Sequence, residues 1–190
     1  SIIIVMKNKN LYIIAGCNGA GKTTASFTIL PEILDCKEFV NADEIAKGLS
    51  PFQPDKVAME AGRIMLNRIN DLLKKDSSFA FETTLATKSY KSKIVLAKKE
   101  GFTVTLLFFE RVATRVLEGG HNIPKDVIER RYSNGIKNLF SIYIPVVDEL
   151  MIFDNSQIKS ELIALKSENS LLEIQNVQKF NDLKSYYEKV

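Results

Sequence analysis

At residues 16–23 the chain reads GCNGAGKT, which matches the phosphate-loop pattern G-x-x-x-x-G-K-[ST] at every fixed position. A short apolar run, LYIIA at 11–15, precedes it and is typical of a β-strand. The segment Thr24–Leu30 that follows is predicted to form a helix, which Pro31 helps to end. Because a phosphate loop joins a strand to a helix, these flanks favour a phosphate-binding loop over an ordinary glycine-rich turn.

A loop of this kind binds phosphate through its backbone. Its glycines allow N–H groups to turn inward around a phosphate chain, and the helix N-terminus adds the positive end of its dipole. Lys22 is predicted to reach the β- and γ-phosphates of a nucleotide, and the Thr23 hydroxyl is predicted to ligate Mg²⁺. The predicted nucleotide-binding residues are Gly16, Asn18, Gly19, Ala20, Gly21, Lys22, Thr23 and Thr24.

The composition limits the class of protein. The chain has 190 residues, of which 45% are hydrophobic, and this is enough for one well-cored domain, residues 1–190. The net charge of +3 and the lack of a basic–aromatic stripe argue against a nucleic-acid partner. No apolar run approaches the ~20 residues of a membrane span, so no membrane association is expected. The two cysteines form no disulfide or metal-binding pattern, and the expected compartment is therefore the reducing cytoplasm.

Strand-like and helix-like segments alternate along the chain. The predicted strands are 11–15, 38–41, 79–81, 102–109 and 151–153, and helical patterns separate them. Such alternation predicts βαβ crossovers and an α/β fold of three layers, with a mostly parallel five-stranded sheet and helices on both faces. Two apolar runs in the tail, 161–165 and 171–174, predict a C-terminal β-hairpin. A final helix is predicted over 177–187.

The remaining motifs narrow the kinds of nucleotide-binding protein. The chain has no N-K-x-D motif, which GTPases use to read the base, and a single acid follows the apolar strand at 79–81, where ABC-type ATPases carry a pair. A small P-loop kinase requires a carboxylate after the second strand, which orients or deprotonates the acceptor hydroxyl. It also requires a basic lid that neutralises the transferred phosphoryl group. The chain has candidates for both.

The candidate carboxylates are Asp43, after the second predicted strand, and Glu82, after the third. The carboxyl ends of parallel strands open onto the phosphate loop, so both are expected near the γ-phosphate, Asp43 as the base and Glu82 as a ligand of Mg²⁺ or substrate. Two alternatives stay open: Asp43 as the N-cap of the next helix, and Glu82 as a solvated strand-end charge. Thr83 and Thr84 are predicted either to bind substrate or to cap the following helix.

A helical lid is predicted at about 110–140, between the fourth and fifth strands. Two helical segments flank the pair Gly119-Gly120, which suits a hinge. Charged helices commonly present a solvated face, so only part of the lid cations is expected to reach the site. The candidate cations are Arg111, Arg115, His121, Lys125, Arg130 and Arg131.

Several stretches in combination resemble the zeta-toxin family, and within it the small chromosomal zeta-like P-loop kinases. They are IIAGCNGAGKTT, FVNADEIAKGLSPF, AGRIMLNRI, SFAFETTLA, GGHNIP, RRYSNGIKNLF and FDNS, and they extend over most of residues 11–156. The resemblance implies a P-loop kinase fold and transfer of a phosphoryl group from ATP, or alternatively GTP, to a hydroxyl of a small molecule. In the toxin members the acceptor is the sugar 3′-hydroxyl of a nucleotide sugar, UDP-N-acetylglucosamine. An antitoxin protein is the partner that the resemblance implies.

The resemblance also implies roles for individual residues. Lys22 and Thr23 match the family's phosphate and Mg²⁺ residues, Asp43 its catalytic base, and Glu82 its acid after the third strand. The implied catalytic residues are Lys22, Asp43, Glu82, Arg115 and Arg131. The implied substrate-binding residues are Asp43, Glu82, Thr83, Thr84 and His121.

The resemblance leaves alternatives for the lid arginines. Arg115 is the best match for the family's first lid arginine, with Arg111 as the alternative. His121 stands where the toxins carry the second, so Arg130 or Arg131 is expected to supply the missing charge.

The chain departs from the family at three points. Cys17 stands where relatives commonly carry proline, and Phe109 passes straight to Glu110 where relatives carry a longer segment. The residues with which the toxins bind the UDP-sugar have no one-for-one counterparts. The sequence thus predicts a cytoplasmic, Mg²⁺-dependent small-molecule kinase. Two alternatives are a nucleotide-dependent switch or antitoxin-bound ATPase without a small acceptor, and an RNA or nucleotide end kinase.

Overall fold

A seven-stranded β-sheet runs through the computed structural model, which describes residues 9–111, 124–157 and 159–189. The strand order is β2-β3-β1-β4-β5-β6-β7, and the first five strands along the chain are mutually parallel. The strands are β1 Lys9–Gly16, β2 Phe39–Val40, β3 Phe79–Thr83, β4 Phe102–Glu110, β5 Glu149–Asp154, β6 Glu161–Lys166 and β7 Glu173–Ile174. The predicted mostly parallel α/β sheet is confirmed.

The predicted count of five strands is wrong, because the C-terminal hairpin joins the sheet. β6 pairs antiparallel with β5, from Leu150 opposite Lys166 to Asp154 opposite Glu161, and the two-residue β7 pairs antiparallel with β6. An edge strand leaves a row of backbone N–H and C=O groups unpaired. β6 extends the sheet and gives hydrogen-bond partners to the backbone N–H and C=O groups on the outer edge of β5.

Seven α-helices lie in the described part of the chain. They are α1 Lys22–Thr28, α2 Ala42–Leu49, α3 Ala58–Leu73, α4 Tyr90–Lys99, α5 Lys125–Asn138, α6 Ile144–Val146 and α7 Val177–Lys189. The helix after the phosphate loop ends earlier than predicted, at Thr28, and a π-helical turn, Ile29–Ile33, continues it. Pro31 lies in that turn and has no N–H with which to extend an α-helical ladder. No helix in the described ranges is long and apolar enough to cross a membrane.

The central strands β1 and β4 are covered on both faces. Every residue of β1 from Leu11 onward is buried, and so is nearly all of β4. Successive side chains of a strand point to opposite faces, so unbroken burial means that helices and loops pack on each side. Along β1, Ala15 lies opposite Thr83 of β3 and Gly16 lies opposite Phe109 of β4. The carboxyl ends of the parallel strands therefore meet at the edge where the loop 16–23 begins.

Candidate active site

Glycine is required at two positions of the loop 16–23 by space and by backbone conformation. Gly16 has a φ of +146°, and a Cβ there would lie 2.4 Å from the carbonyl oxygen of Phe109. Gly21 has a φ of +78°, and a Cβ there would lie 2.7 Å from Nδ2 of Asn155. Both conformations are ones that residues with a side chain rarely adopt. The loop is therefore pressed against the ends of β4 and β5.

The carbonyl groups of this loop are bound by donors from the surrounding elements. Nζ of Lys22 donates to the carbonyl of Cys17 at 2.8 Å, Arg111 donates to that of Gly19, and Nδ2 of Asn155 donates to that of Ala20 at 2.6 Å. Among the described residues, no hydrogen bond uses the backbone N–H groups of Asn18, Gly19, Gly21, Lys22 or Thr23. A run of free N–H groups at a helix N-terminus, with a lysine beside it, fits a polyphosphate.

Glu82 joins the loop to the neighbouring strands. Its Oε2 accepts hydrogen bonds from Oγ1 of Thr23 at 3.0 Å and from Nδ2 of Asn41 at 2.9 Å, and its Oε1 lies 3.6 Å from Nζ of Lys22. The Glu82 side chain is only 9% exposed. Burial raises the pKa of Glu82, while Lys22 and the Thr23 hydroxyl act in the opposite direction. The alternative of a solvated strand-end charge is therefore wrong for Glu82, which belongs to β3 itself.

The oxygen atoms of Thr23 and Glu82 suit Mg²⁺. Mg²⁺ is held in proteins by one or two oxygen ligands together with substrate phosphates and water, rather than by a cage of side chains. No group of three or more His, Cys, Asp or Glu residues in the described ranges could hold a metal by itself. The Thr23 hydroxyl with the adjacent Glu82 carboxylate therefore fits an ion that arrives with a nucleotide.

Asp43 lies at the start of α2 but does not cap it. The side chain of Asn41 caps this helix, because its Oδ1 accepts from the backbone N–H of Asp43 at 2.8 Å and of Glu44 at 3.3 Å. The alternative N-cap role for Asp43 is thus wrong, and its carboxylate is exposed at the rim of the site. Sequence reasoning missed Asn41, although Asn41 and Glu44 have the spacing of a capping box.

A cavity of about 170 Å³ opens beside the phosphate loop. Lys22, Asp43 and Glu82 line it on the side of the loop, and Thr83 and Thr84 line it from the end of β3. Each threonine hydroxyl accepts a backbone N–H two residues further on, from Leu85 at 3.1 Å and from Ala86 at 3.4 Å. The structure thus brings the predicted carboxylates and threonines to one cavity, and the threonines also shape the turn that follows β3.

Arg131 approaches the loop from α5. Its Nη1 lies 3.5 Å from Oδ1 of Asn18, and its side chain lines the cavity. Gly135, one turn along the same helix face, packs so closely on β3 that a Cβ would lie 2.6 Å from the carbonyl oxygen of Thr84. Arg130 is exposed and does not line this cavity. Of the two alternatives for the missing charge, only Arg131 faces the site.

The other predicted lid residues are placed as follows. Arg115 and His121 lie outside the described residues, as do the hinge Gly119-Gly120 and most of the first lid helix. Arg111, the alternative to Arg115, contacts the carbonyl of Gly19. Lys125 is exposed at the start of α5, and Thr24 is exposed on α1.

Sequence reasoning missed the role of Asn155 at the site, and the structure shows the surroundings of Cys17, which the sequence marks as a departure from the family. Asn155 follows β5 and binds the phosphate loop at the carbonyl of Ala20, while its Oδ1 accepts from Ser160 at 2.6 Å. Cys17 is 4% exposed, and burial raises the pKa of its thiol to about 12, which disfavours the reactive thiolate. The stretch FDNS, quoted for the family resemblance, was the available signal for Asn155.

The chain has relatives among known proteins. No family model matches the chain. An uncharacterized protein of Haemophilus influenzae is 32% identical over 139 residues, which are 67% of this chain and 95% of that protein. The chain belongs to the same family as this protein. The relationship covers nearly the whole Haemophilus protein, so the family is defined over a shared domain rather than over an isolated motif.

Solved structures share the fold over most of the chain. A chain of the AvrRxo1-ORF1:-ORF2 complex with ATP has a TM-score of 0.79 at 16% identity, over 94% of this chain and 64% of its own length. A structure of the PezAT chromosomal toxin-antitoxin system of Streptococcus pneumoniae has a TM-score of 0.63 at 16% identity, over 96% of this chain and 86% of its own length. Shikimate kinase from Acinetobacter baumannii in complex with shikimate has a TM-score of 0.51 at 19% identity, over 80% of this chain and 86% of its own length.

At these identities the likeness concerns the fold alone. The chain has a P-loop kinase-like fold, and the resemblance to the zeta-toxin family is supported at that level. The chain spans less than two thirds of the length of the AvrRxo1 chain that it matches.

Proposed function

We propose that this protein is a Mg²⁺-dependent kinase of the cytoplasm that transfers the γ-phosphate of ATP to a hydroxyl of a small molecule. One observation supports the proposal above the others: Lys22, Glu82 and Asp43 line the same small cavity at the phosphate loop. A motor or switch protein needs the loop, but it does not need a second carboxylate, such as Asp43, that faces the same cavity. The ATP in the AvrRxo1 complex and the shikimate in shikimate kinase agree with this reading.

In the proposed reaction the backbone N–H groups of the loop and Lys22 hold the β- and γ-phosphates. Thr23 and Glu82 would hold the Mg²⁺ that accompanies ATP, which would supply positive charge to the phosphates. Asp43 accepts the proton of the acceptor hydroxyl as its oxygen bonds to the γ-phosphorus, and the bond from that phosphorus to the β,γ-bridging oxygen breaks, which leaves ADP. Arg131 and the lid cations Arg115 and Arg111 neutralise the charge on the transferred group.

An acceptor has to bring its hydroxyl into the cavity of about 170 Å³ that opens beside the phosphate loop. For a nucleotide sugar such as UDP-N-acetylglucosamine, the proposal is that the sugar ring occupies this cavity. Thr83 and Thr84 are the proposed hydrogen-bonding residues for such a ring.

A second candidate function is a nucleotide-dependent protein that works mainly through an antitoxin partner and has no small acceptor. Two structures with this fold support this candidate, one from the AvrRxo1-ORF1:-ORF2 complex and one from the PezAT toxin-antitoxin system. The two functions differ in one measurable property, since only the kinase consumes ATP in proportion to an added hydroxyl compound.

The variant Asp43→Asn tests the proposed base. We expect it to lower phosphoryl transfer by about 10²–10⁴-fold, the usual contribution of a general base. ATP affinity is expected to change little, because no hydrogen bond or ion pair in the described part of the chain joins the Asp43 side chain to the phosphate loop. The matched control is Glu44→Gln, which removes the carboxylate of the next residue in the chain. Glu44 is paired with Lys47 at 2.8 Å on the surface of the helix. Transfer is measured as phosphorylated product per ATP consumed. Full activity of Asp43→Asn would overturn the assignment.

A further inference from the structure

Two arginines meet the phosphate loop from different elements. Arg111, directly after β4, donates through Nη1 to the carbonyl of Gly19, and Arg131, in α5, lies 3.5 Å from Oδ1 of Asn18. Nε of Arg111 is buried and has no hydrogen-bond partner among the described residues. Both guanidinium groups thus stand beside the loop N–H groups that fit a polyphosphate.

The residues next to these arginines in the chain are bonded to each other. Oη of Tyr132 donates to Oε1 of Glu110 at 2.7 Å. Glu110 immediately precedes Arg111, and Tyr132 immediately follows Arg131. This one hydrogen bond therefore sets the distance between the two backbone segments that carry the arginines.

Both ends of the bond are fixed in the fold. Glu110 pairs with Asp154 across the β4–β5 ladder, and its carbonyl oxygen accepts from the backbone N–H of Asn155 at 2.7 Å. Tyr132 is buried, and its ring meets that of Tyr186 in α7 edge-on, with 4.9 Å between the ring centres. Because neither partner can move freely, the bond holds the two chain segments at a fixed separation.

Burial favours the protonated form of the Glu110 carboxyl in this bond. Burial raises the pKa of Glu110 to about 8, with Asp154 acting in the same direction and the Tyr132 hydroxyl opposing it. The charged and titratable groups around this carboxyl are Cys17, Tyr132, Asp154, Lys179, Asp182 and Tyr186.

We propose that the hydrogen bond between Tyr132 and Glu110 positions Arg111 and Arg131 together against the terminal phosphate of the bound nucleotide. Tyr132 and Glu110 touch neither substrate nor phosphate and act through the two arginines. The inference rests on the proposed nucleotide site, but it does not depend on which acceptor the enzyme uses.

The test measures binding of two nucleotides and needs no acceptor. Calorimetry gives the affinity for the Mg²⁺ complexes of a non-hydrolysable ATP analogue and of ADP, and their ratio reports contacts to the terminal phosphate. We expect Tyr132→Phe to lower this ratio by about tenfold, which corresponds to the loss of one charge-assisted hydrogen bond from an arginine to the terminal phosphate. The affinity for ADP is expected to stay nearly unchanged. The control is Tyr186→Phe, which removes a neighbouring hydroxyl that contacts Ser133 at 3.1 Å. This variant is expected to keep the ratio of the unmodified protein.

Two substitutions of Glu110 separate positioning from simple support of the fold. Glu110→Gln keeps an oxygen that accepts from Tyr132 and is expected to keep the ratio, whereas Glu110→Leu removes the acceptor and is expected to lower it as Tyr132→Phe does. A merely structural role would lower the melting temperature and leave the ratio unchanged. An unchanged ratio in Tyr132→Phe and Glu110→Leu overturns the positioning role alone. Failure of the unmodified protein to bind either nucleotide overturns the proposed function as well.

Discussion

Glu82 is the residue at which the nucleotide side and the acceptor side of the site meet. It accepts hydrogen bonds from Thr23, on the phosphate loop, and from Asn41, which caps the helix that carries Asp43. A change at Glu82 therefore acts on both the proposed Mg²⁺ ligand and the placement of the proposed base. Its burial beside Lys22 makes it the most constrained carboxylate of the site.

The variant Glu82→Gln keeps the shape of the side chain and removes its charge. We expect the Mg²⁺ concentration needed for half-maximal ATP turnover to rise by about 10–100-fold, the usual effect of losing a partner of a metal ligand. Turnover is titrated against Mg²⁺. Glu38→Gln is the control, because Glu38 is an exposed carboxylate paired with Arg68 at 2.7 Å. An unchanged Mg²⁺ midpoint in Glu82→Gln would contradict the assigned role.

Glu110 makes the stability of the fold depend on pH. Its pKa is raised from 4.5 to about 8, so between these values the folded protein binds more protons at this site than the unfolded chain does. The contribution of Glu110 to the free energy of unfolding therefore falls as pH rises from about 5 to about 8.

The variant Glu110→Gln cannot ionise and removes this dependence. The free energy of unfolding of the variant minus that of the unmodified protein is expected to increase from pH 5 to pH 8, by an amount on the order of a few kcal/mol. Denaturant unfolding at the two pH values measures the difference. A constant difference between variant and unmodified protein would show that Glu110 keeps an ordinary pKa.

At the scale of elements, α5 illustrates what the sequence indicates and what it leaves open. The helical pattern and its basic residues are visible in the sequence, but they do not tell Arg130 from Arg131. That choice depends on Gly135, whose lack of a side chain lets the helix approach the carbonyl of Thr84. Asn138 adds a hydrogen bond to the carbonyl of Leu85 at 2.7 Å. Contacts between segments so far apart in the chain leave no local pattern.

Asn155, at the end of β5, is expected to stiffen the phosphate loop. Asn155→Ala removes the hydrogen bond to the carbonyl of Ala20 and the packing against Gly21. The loss of one hydrogen bond of about 1 kcal/mol corresponds to roughly a fivefold weaker affinity for ATP–Mg²⁺. Calorimetry compares it with Asn67→Ala, at an exposed position of α3. Equal affinities in both variants would show that the loop holds its shape without Asn155.

At the scale of the molecule, the parallel part of the sheet was predictable because its strands are local apolar runs of characteristic length. The joining of β6 to β5 was not, since a hairpin pattern specifies its own two strands and not the edge on which it docks. The phosphate loop was predictable as a contiguous motif. The cavity beside it, by contrast, is assembled from the phosphate loop, α2, α3, β3, α4 and α5, which the chain order separates.

The proposed function requires that a γ-phosphate passes from ATP to a small hydroxyl compound in this cavity. Its most direct test is a mass-spectrometric search for a phosphorylated product after incubation with ATP–Mg²⁺ and a panel of nucleotide sugars, nucleosides and small hydroxy acids. We predict that one acceptor gains a single phosphoryl group with the unmodified protein and none does with Asp43→Asn. ATP binding without any phosphorylated acceptor across the panel, or equal product from Asp43→Asn, would contradict the claim.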